Sequence, residues 1–174
     1  MIMNERDLRH AQAVDIAQKM MVAARTAPKG KGVDIVECAV VDGDDAERLA
    51  QEMERVSEET GFKFFLRDAG NVRASECVVL VGTREQAQGL NCGHCGFATC
   101  EGRSQGVPCA INSVDVGIAL GSACATATDH RVDTRVMFSA GLAAQRLGML
   151  GEGVRQVYGI VVSISSKSPF FDRK

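Results

Sequence analysis

The feature that most restricts this chain is a stretch its own residues cannot shape. Between positions 89 and 110, four of the seven cysteines (Cys92, Cys95, Cys100, Cys109) alternate with five glycines (89, 93, 96, 102, 106), as GLNCGHCGFATCEGRSQGVPCA. It has neither the 3.6-residue period of a helix nor the alternation of a strand, so it reads as a loop whose form something else must set. An odd number of cysteines, in a chain whose polar opening (MIMNERDLRH) is unlike a signal peptide, disfavours disulfides and makes metal or cluster ligation the better reading. The spacing is C-x2-C-x4-C-x8-C. The close Cys92/Cys95 pair can grip one corner of a centre, and the longer arms can bring Cys100 and Cys109 around it. Gly93 and Gly96 let the backbone curl and aim amide N–H groups at sulfur, and Pro108 constrains the approach of the last ligand. Four thiolates suit a [4Fe–4S] cluster or a structural zinc ion. Zinc sites more often come as two C-x2-C knuckles and this loop has one, which favours iron–sulfur with zinc as the alternative.

The remaining cysteines read differently. Cys38 and Cys77 fall in apolar strand patterns and Cys124 in an apolar helix, so all three are expected to pack in the core. His94, between two candidate ligands, is expected to be an exposed loop residue, since four thiols already complete a site.

The rest of the chain must build the support. Residues 4–25 carry apolar side chains three or four apart (Leu8, Ala11, Val14, Ala17, Met21, Ala24), with Asn4 as cap and Glu5 and Asp7 at the positive end. Pro28 closes that helix, and Lys29-Gly30-Lys31-Gly32 is a basic loop. A strand is expected over 33–41, then a helix capped by Asp44, with Glu47 as capping-box partner and Gly61 as the stop. Its acid-rich face reads as solvated surface. Two strands follow, over 62–66 (FKFFL) and 76–82 (ECVVLVG). After the cysteine loop come a helix over 112–128, capped by Asn112, a second over 133–147, and a strand over 154–164. Both helices are apolar on nearly every side and so are expected to be buried. Gly141, Gly148 and Gly151 suit helix packing and termination rather than phosphate binding, because no G-x-G-x-x-G follows a strand. The order α-β-α-β-β-loop-α-α-β describes one α+β domain over 1–174, a mixed or antiparallel sheet packed against buried helices.

Composition narrows function. With 174 residues, 45% apolar, and a net charge of −2, the chain can bury a sizeable core but carries no basic excess for nucleic acid or anionic membranes. No stretch approaches the length of a spanning helix, so a cytoplasmic location is expected. There is no G-x-S-x-G or H-E-x-x-H constellation to suggest hydrolysis.

The motifs also resemble known families. NCGHCGFATC is similar to the CG-x-CG-x-x-TC core of small [4Fe–4S] modules in corrinoid iron–sulfur proteins and electron-transport subunits, with the fourth cysteine arriving sooner here. Over the whole chain the sequence is identified as a member of an uncharacterised prokaryotic family of ferredoxin-domain proteins. The shared segments are AARTAPKGKGVD (23–34), VPCA (107–110), NSVDVGIALGSA (112–123) and SISSKSPFFDRK (163–174). More distantly, AARTAPKGKGVDIVECAVV resembles the helix, loop and strand of flavin-dependent nitroreductases, which are dimers binding FMN at their interface. That resemblance implies a nitroreductase-like fold, a homodimer, and Arg25, Lys29 and Lys31 as candidates to meet a flavin phosphate. The ferredoxin resemblance implies an electron-transfer protein with a redox partner. For Phe170 and Phe171, packing on the chain's own core competes with crossing to a second subunit.

Overall fold

In the computed structural model, which describes residues 1–171, four antiparallel strands form one sheet in the order β1-β2-β4-β3. The strands are β1 (Val36–Val41), β2 (Cys77–Arg84), β3 (Asp133–Met137) and β4 (Val154–Ser163). Two helices, α1 (Glu5–Thr26) and α4 (Ala110–Asp129), cover one face; α2 (Gly43–Thr60), α3 (Lys63–Arg73) and α5 (Phe138–Arg146) cover the other. This is the α+β arrangement with an antiparallel sheet that the pattern predicts.

The sheet divides the apolar residues by the alternation of strand side chains. Val78 and Leu80 of β2 join α2, α3 and α5 in one core, while Cys77, Val79 and Val81 join α1 and α4 in the other. α1 meets α4 through Ala13, Ala17, Met20 and Ala24, all fully buried. Its buried stripe is thus one residue out of phase with the expected one at Ala13 and Met20, and Leu8 is exposed. Asn4 caps α1 as read, accepting from Arg6 N at 3.1 Å. Gly141 lets α5 lie directly on β4: a Cβ there would stand 1.8 Å from Val157 O.

Two elements differ in kind from the reading. Residues 62–66 are not a strand but the cap and first turn of α3, whose buried residues Phe65, Asp68, Ala69 and Val72 recur at helical spacing. Residues 133–147 are not one helix: the first five form the edge strand β3, and α5 starts at Phe138. The helices are also less buried than expected, since α4 exposes Val114 and Ile118 and α5 exposes Phe138. At the start of α2, Asp42 rather than Asp44 is the cap residue, and Glu47 pairs with Arg73 of α3 at 2.9 Å instead of closing a capping box. At the start of α4, Cys109 holds the cap position that Asn112 was expected to fill.

α4 is long and apolar enough to cross a membrane by length and composition, contrary to the expectation that no stretch approaches that length. Here it packs along α1 and the sheet, with Asn112 and Asp115 buried on its inner side. Phe170 is buried in the core beside α5, whereas Phe171 is exposed under the guanidinium of Arg135. The last three residues of the SISSKSPFFDRK segment lie outside the described residues.

Candidate functional site: the cysteine loop and the cleft beside it

From Glu85 to Cys109 the chain connects β2 to α4 without helix or strand. Its ends are tied firmly. Gln88 and Asn112, both buried, bond side chain to side chain at 2.9 Å, and Asn112 Nδ2 donates to Gln86 O at 2.7 Å. Asp115, also buried, accepts from Gly30 N at 2.9 Å, which ties the basic loop after α1 to the second turn of α4.

Within the loop, left-handed backbone at Gly93 (φ 73°) and Gly96 (φ 89°) curls the chain around the first two cysteines, and Gly96 N donates to Gly93 O. Asn91 clasps Cys100 from both sides. Its N–H donates to Cys100 Sγ at 3.4 Å, and its Oδ1 accepts from Cys100 N at 2.7 Å. Cys92 is exposed, Cys95 and Cys100 are half-buried and Cys109 is buried. Burial opposes ionisation of Cys109, but the backbone amides of Gln88, Asn112 and Ile111, with the charge of Arg103, outweigh it and draw its pKa below the ordinary thiol value. The donor set, four soft thiols with amides aimed at two of them, fits a cluster or zinc. The four are not gathered: among the described residues no three His, Cys, Asp or Glu side chains stand close enough to share a metal ion. His94 is exposed, Cys77 is buried, and Cys38 and Cys124 are half-buried.

The cationic candidates are already committed to protein acceptors. Lys29 has only 5% of its side chain exposed, and its Nζ donates to Ala24 O (3.2 Å), Arg25 O (2.6 Å) and Ala27 O (2.8 Å), satisfying the open carbonyls at the end of α1. Arg25 bonds Asp34 Oδ1 at 2.8 Å and Val36 O at 2.6 Å. Lys31 donates to Gln88 O at 2.9 Å, at the root of the cysteine loop. A flavin phosphate would have to compete with each of these contacts.

Cys109 also lines a cleft of about 240 Å³ between the end of β2, the start of β4, the start of α4 and the end of α5. A bulge opens it. Between the pairs Val81↔Tyr158 and Thr83↔Arg155, Gly82 alone faces Gln156 and Val157, and Gln156 takes a left-handed φ of 51°.

The family described as uncharacterized proteins containing a ferredoxin domain (DUF2148) matches residues 105–173. An uncharacterized protein of Archaeoglobus fulgidus is 41% identical over 184 residues, covering 99% of this chain and 98% of its own. The chain belongs to this family. The DUF2148 match spans α4 to the tail and includes Cys109, while Cys92, Cys95 and Cys100 lie ahead of it. The fold is that of nitroreductases. A nitroreductase family protein from Clostridium novyi NT superposes with a TM-score of 0.59 at 17% identity, over 86% of this chain and 73% of that one. The NADPH:FMN oxidoreductase from Vibrio harveyi gives 0.59 at 12% identity, over 92% and 63%.

Sequence reasoning found the cysteine loop of this DUF2148 protein but missed the cleft. The cleft's polar lining, which includes Arg84, Glu85, Arg103, Gln145, Arg155 and Gln156, is scattered over β2, the loop, α5 and β4 with no common spacing. The one signal was Asn112-x2-Asp115 at the start of an apolar helix, polar residues whose partners had to lie elsewhere in the fold.

Proposed function

We propose that this protein is a cytoplasmic one-electron carrier that holds a [4Fe–4S] cluster on Cys92, Cys95, Cys100 and Cys109, on a nitroreductase-like scaffold. The observation that carries the reading is the clasp at Cys100, where the N–H of Asn91 already meets the sulfur at 3.4 Å beside the glycine-curled turn of Cys92 and Cys95. The ferredoxin domain in the family's description supports it. The cluster supplies reversible one-electron chemistry when bound. The chain's own part is to hold four thiolates and tune them. Asn91 N–H donates to Cys100, and the amides at the start of α4 favour charge on Cys109; such donors withdraw electron density from sulfur and raise the potential. The buried Gln88–Asn112 pair anchors both ends of the loop, so an arriving cluster need order only the segment between.

Anaerobically purified protein should show broad visible absorption and about four iron and four sulfide per chain. Cys95→Ala should abolish both, and unchanged colour in that variant refutes the ligand set. Zinc bound without sulfide would replace the redox reading with a structural one. A second reading, a flavin oxidoreductase, is favoured by the fold shared with an NADPH:FMN oxidoreductase. Flavin released on denaturing the same preparation would establish it. The reading includes a homodimer, for which the exposed small and apolar residues of α4 (Val114, Gly117, Ile118, Gly121) offer a close-packing face. Sedimentation of the purified chain tests it.

A further inference from the structure

We propose that the cleft beside Cys109 binds a small oxyanion-bearing molecule, a carboxylate or phosphate, gripped by Arg84, Arg103 and Arg155. Three separate segments bring Arg84, Arg103 and Arg155 to the lining of one cavity, where Glu85 is the one carboxylate among the described lining residues; with Glu37 paired to Arg84 from outside, one positive charge remains in excess.

Their existing contacts leave donors to spare. Arg84 gives its Nε and one Nη to Glu37 Oε1, each at 2.7 Å. Arg155 gives one Nη to Val154 O at 3.1 Å and stands 3.8 Å from Glu85. Arg103 gives one Nη to Val107 O. A guanidinium carries five N–H donors in a planar fork that matches a carboxylate or phosphate edge, so each retains N–H groups for a ligand.

The bulge adds a fourth, neutral donor. Gln156 sits in left-handed backbone inside a strand, where a residue with a Cβ is strained, and Ser113 Oγ hydrogen-bonds its Oε1. That bond fixes the amide against α4 and leaves its NH2 as a donor at the cavity wall. Size limits the ligand. At roughly 30 Å³ per water the cleft holds the volume of about eight waters, below the roughly 300–1,000 Å³ of sites for drug-sized molecules. A small mono- or dianion fits within it. Because Cys109 lines the same wall, the anion would lie beside a sulfur that the electron-transfer reading uses. Binding itself does not rest on that reading, and either can fail without the other.

The test is titration calorimetry of the full chain, purified anaerobically, with inorganic phosphate, malonate and the neutral analogue malonamide. Saturable binding of one oxyanion at millimolar concentration or below, and none of malonamide, is expected; whichever anion binds tighter identifies the source. Arg155→Gln and Arg103→Gln should each weaken binding about tenfold or more with the unfolding midpoint unchanged. Gln156→Gly is the second check. It should weaken binding while raising the unfolding midpoint, because glycine accepts the left-handed backbone that glutamine resists. No saturable binding of either anion, or binding indifferent to both arginine variants, overturns the proposal.

Discussion

The sheet with its five helices and the loop from Glu85 to Cys109 are made of the same chain by opposite means. In the sheet, every residue of β2 from Cys77 to Thr83 is buried, and position is settled by packing on both sides. In the loop, three of the four cysteines are not buried, and position rests on a few hydrogen bonds at its ends and around Cys100. The contrast teaches where stability and chemistry live. The first region folds on its own apolar surface, and the second is held ready for a partner it does not contain.

Substitutions should separate the two regions sharply. The largest effect is expected at Gly141. A Cβ 1.8 Å from Val157 O must push α5 off β4, and Gly141→Ala should cost about 3 kcal/mol in urea unfolding. Next comes the buried bond from Ser139 Oγ to Asp68 Oδ2 at 2.6 Å, which ties α5 to α3. Ser139→Ala leaves that carboxylate oxygen without its partner and should cost about 1–3 kcal/mol by the same measurement. A smaller effect follows pH. Burial raises the Cys77 thiol from 9.0 to about 12, so the folded chain holds its proton where the unfolded chain releases it. The contribution of Cys77 to stability should therefore be constant below pH 9.0 and fall as pH climbs from there toward 12, so that Cys77→Ala flattens the alkaline limb of the profile. The smallest effect belongs to the loop. In metal-free protein, Cys95→Ser should move the unfolding free energy by less than about 0.5 kcal/mol. A loss as large as that at Ser139 would mean that the loop helps hold the fold and would erase the contrast.

The same division governs what could be read from sequence. α1, β1, β2 and β4 were legible because apolar periodicity and turn residues agree there. α3 was hidden because FKFFL is a short aromatic-rich apolar run of the kind strands favour, and because one of its four buried positions is Asp68, which carries no hydrophobic signal. β3 was hidden because Asp133–Met137 runs into α5 with no Gly or Pro between, and because an edge strand leaves Val136 exposed and buries little. At the site, the cysteines and the turn-forming glycines were visible as a local motif. The committed contacts of Lys29 and Arg25 were not, since they depend on how α1 ends against β1. The three cleft arginines were invisible for a related reason: only the bulge in β4 and the return of the loop to α4 bring them together.

One consequence of the shared sheet reaches beyond either core. Because alternate residues of the same two central strands serve opposite sides, the sheet is a common wall, and neither helix layer can melt without stripping one face of it. The molecule has no seam along which to open. Slow amide exchange in β2 and β4 should therefore report rare events that involve all of it at once, while exchange in the cysteine loop proceeds through local fraying that the wall never registers.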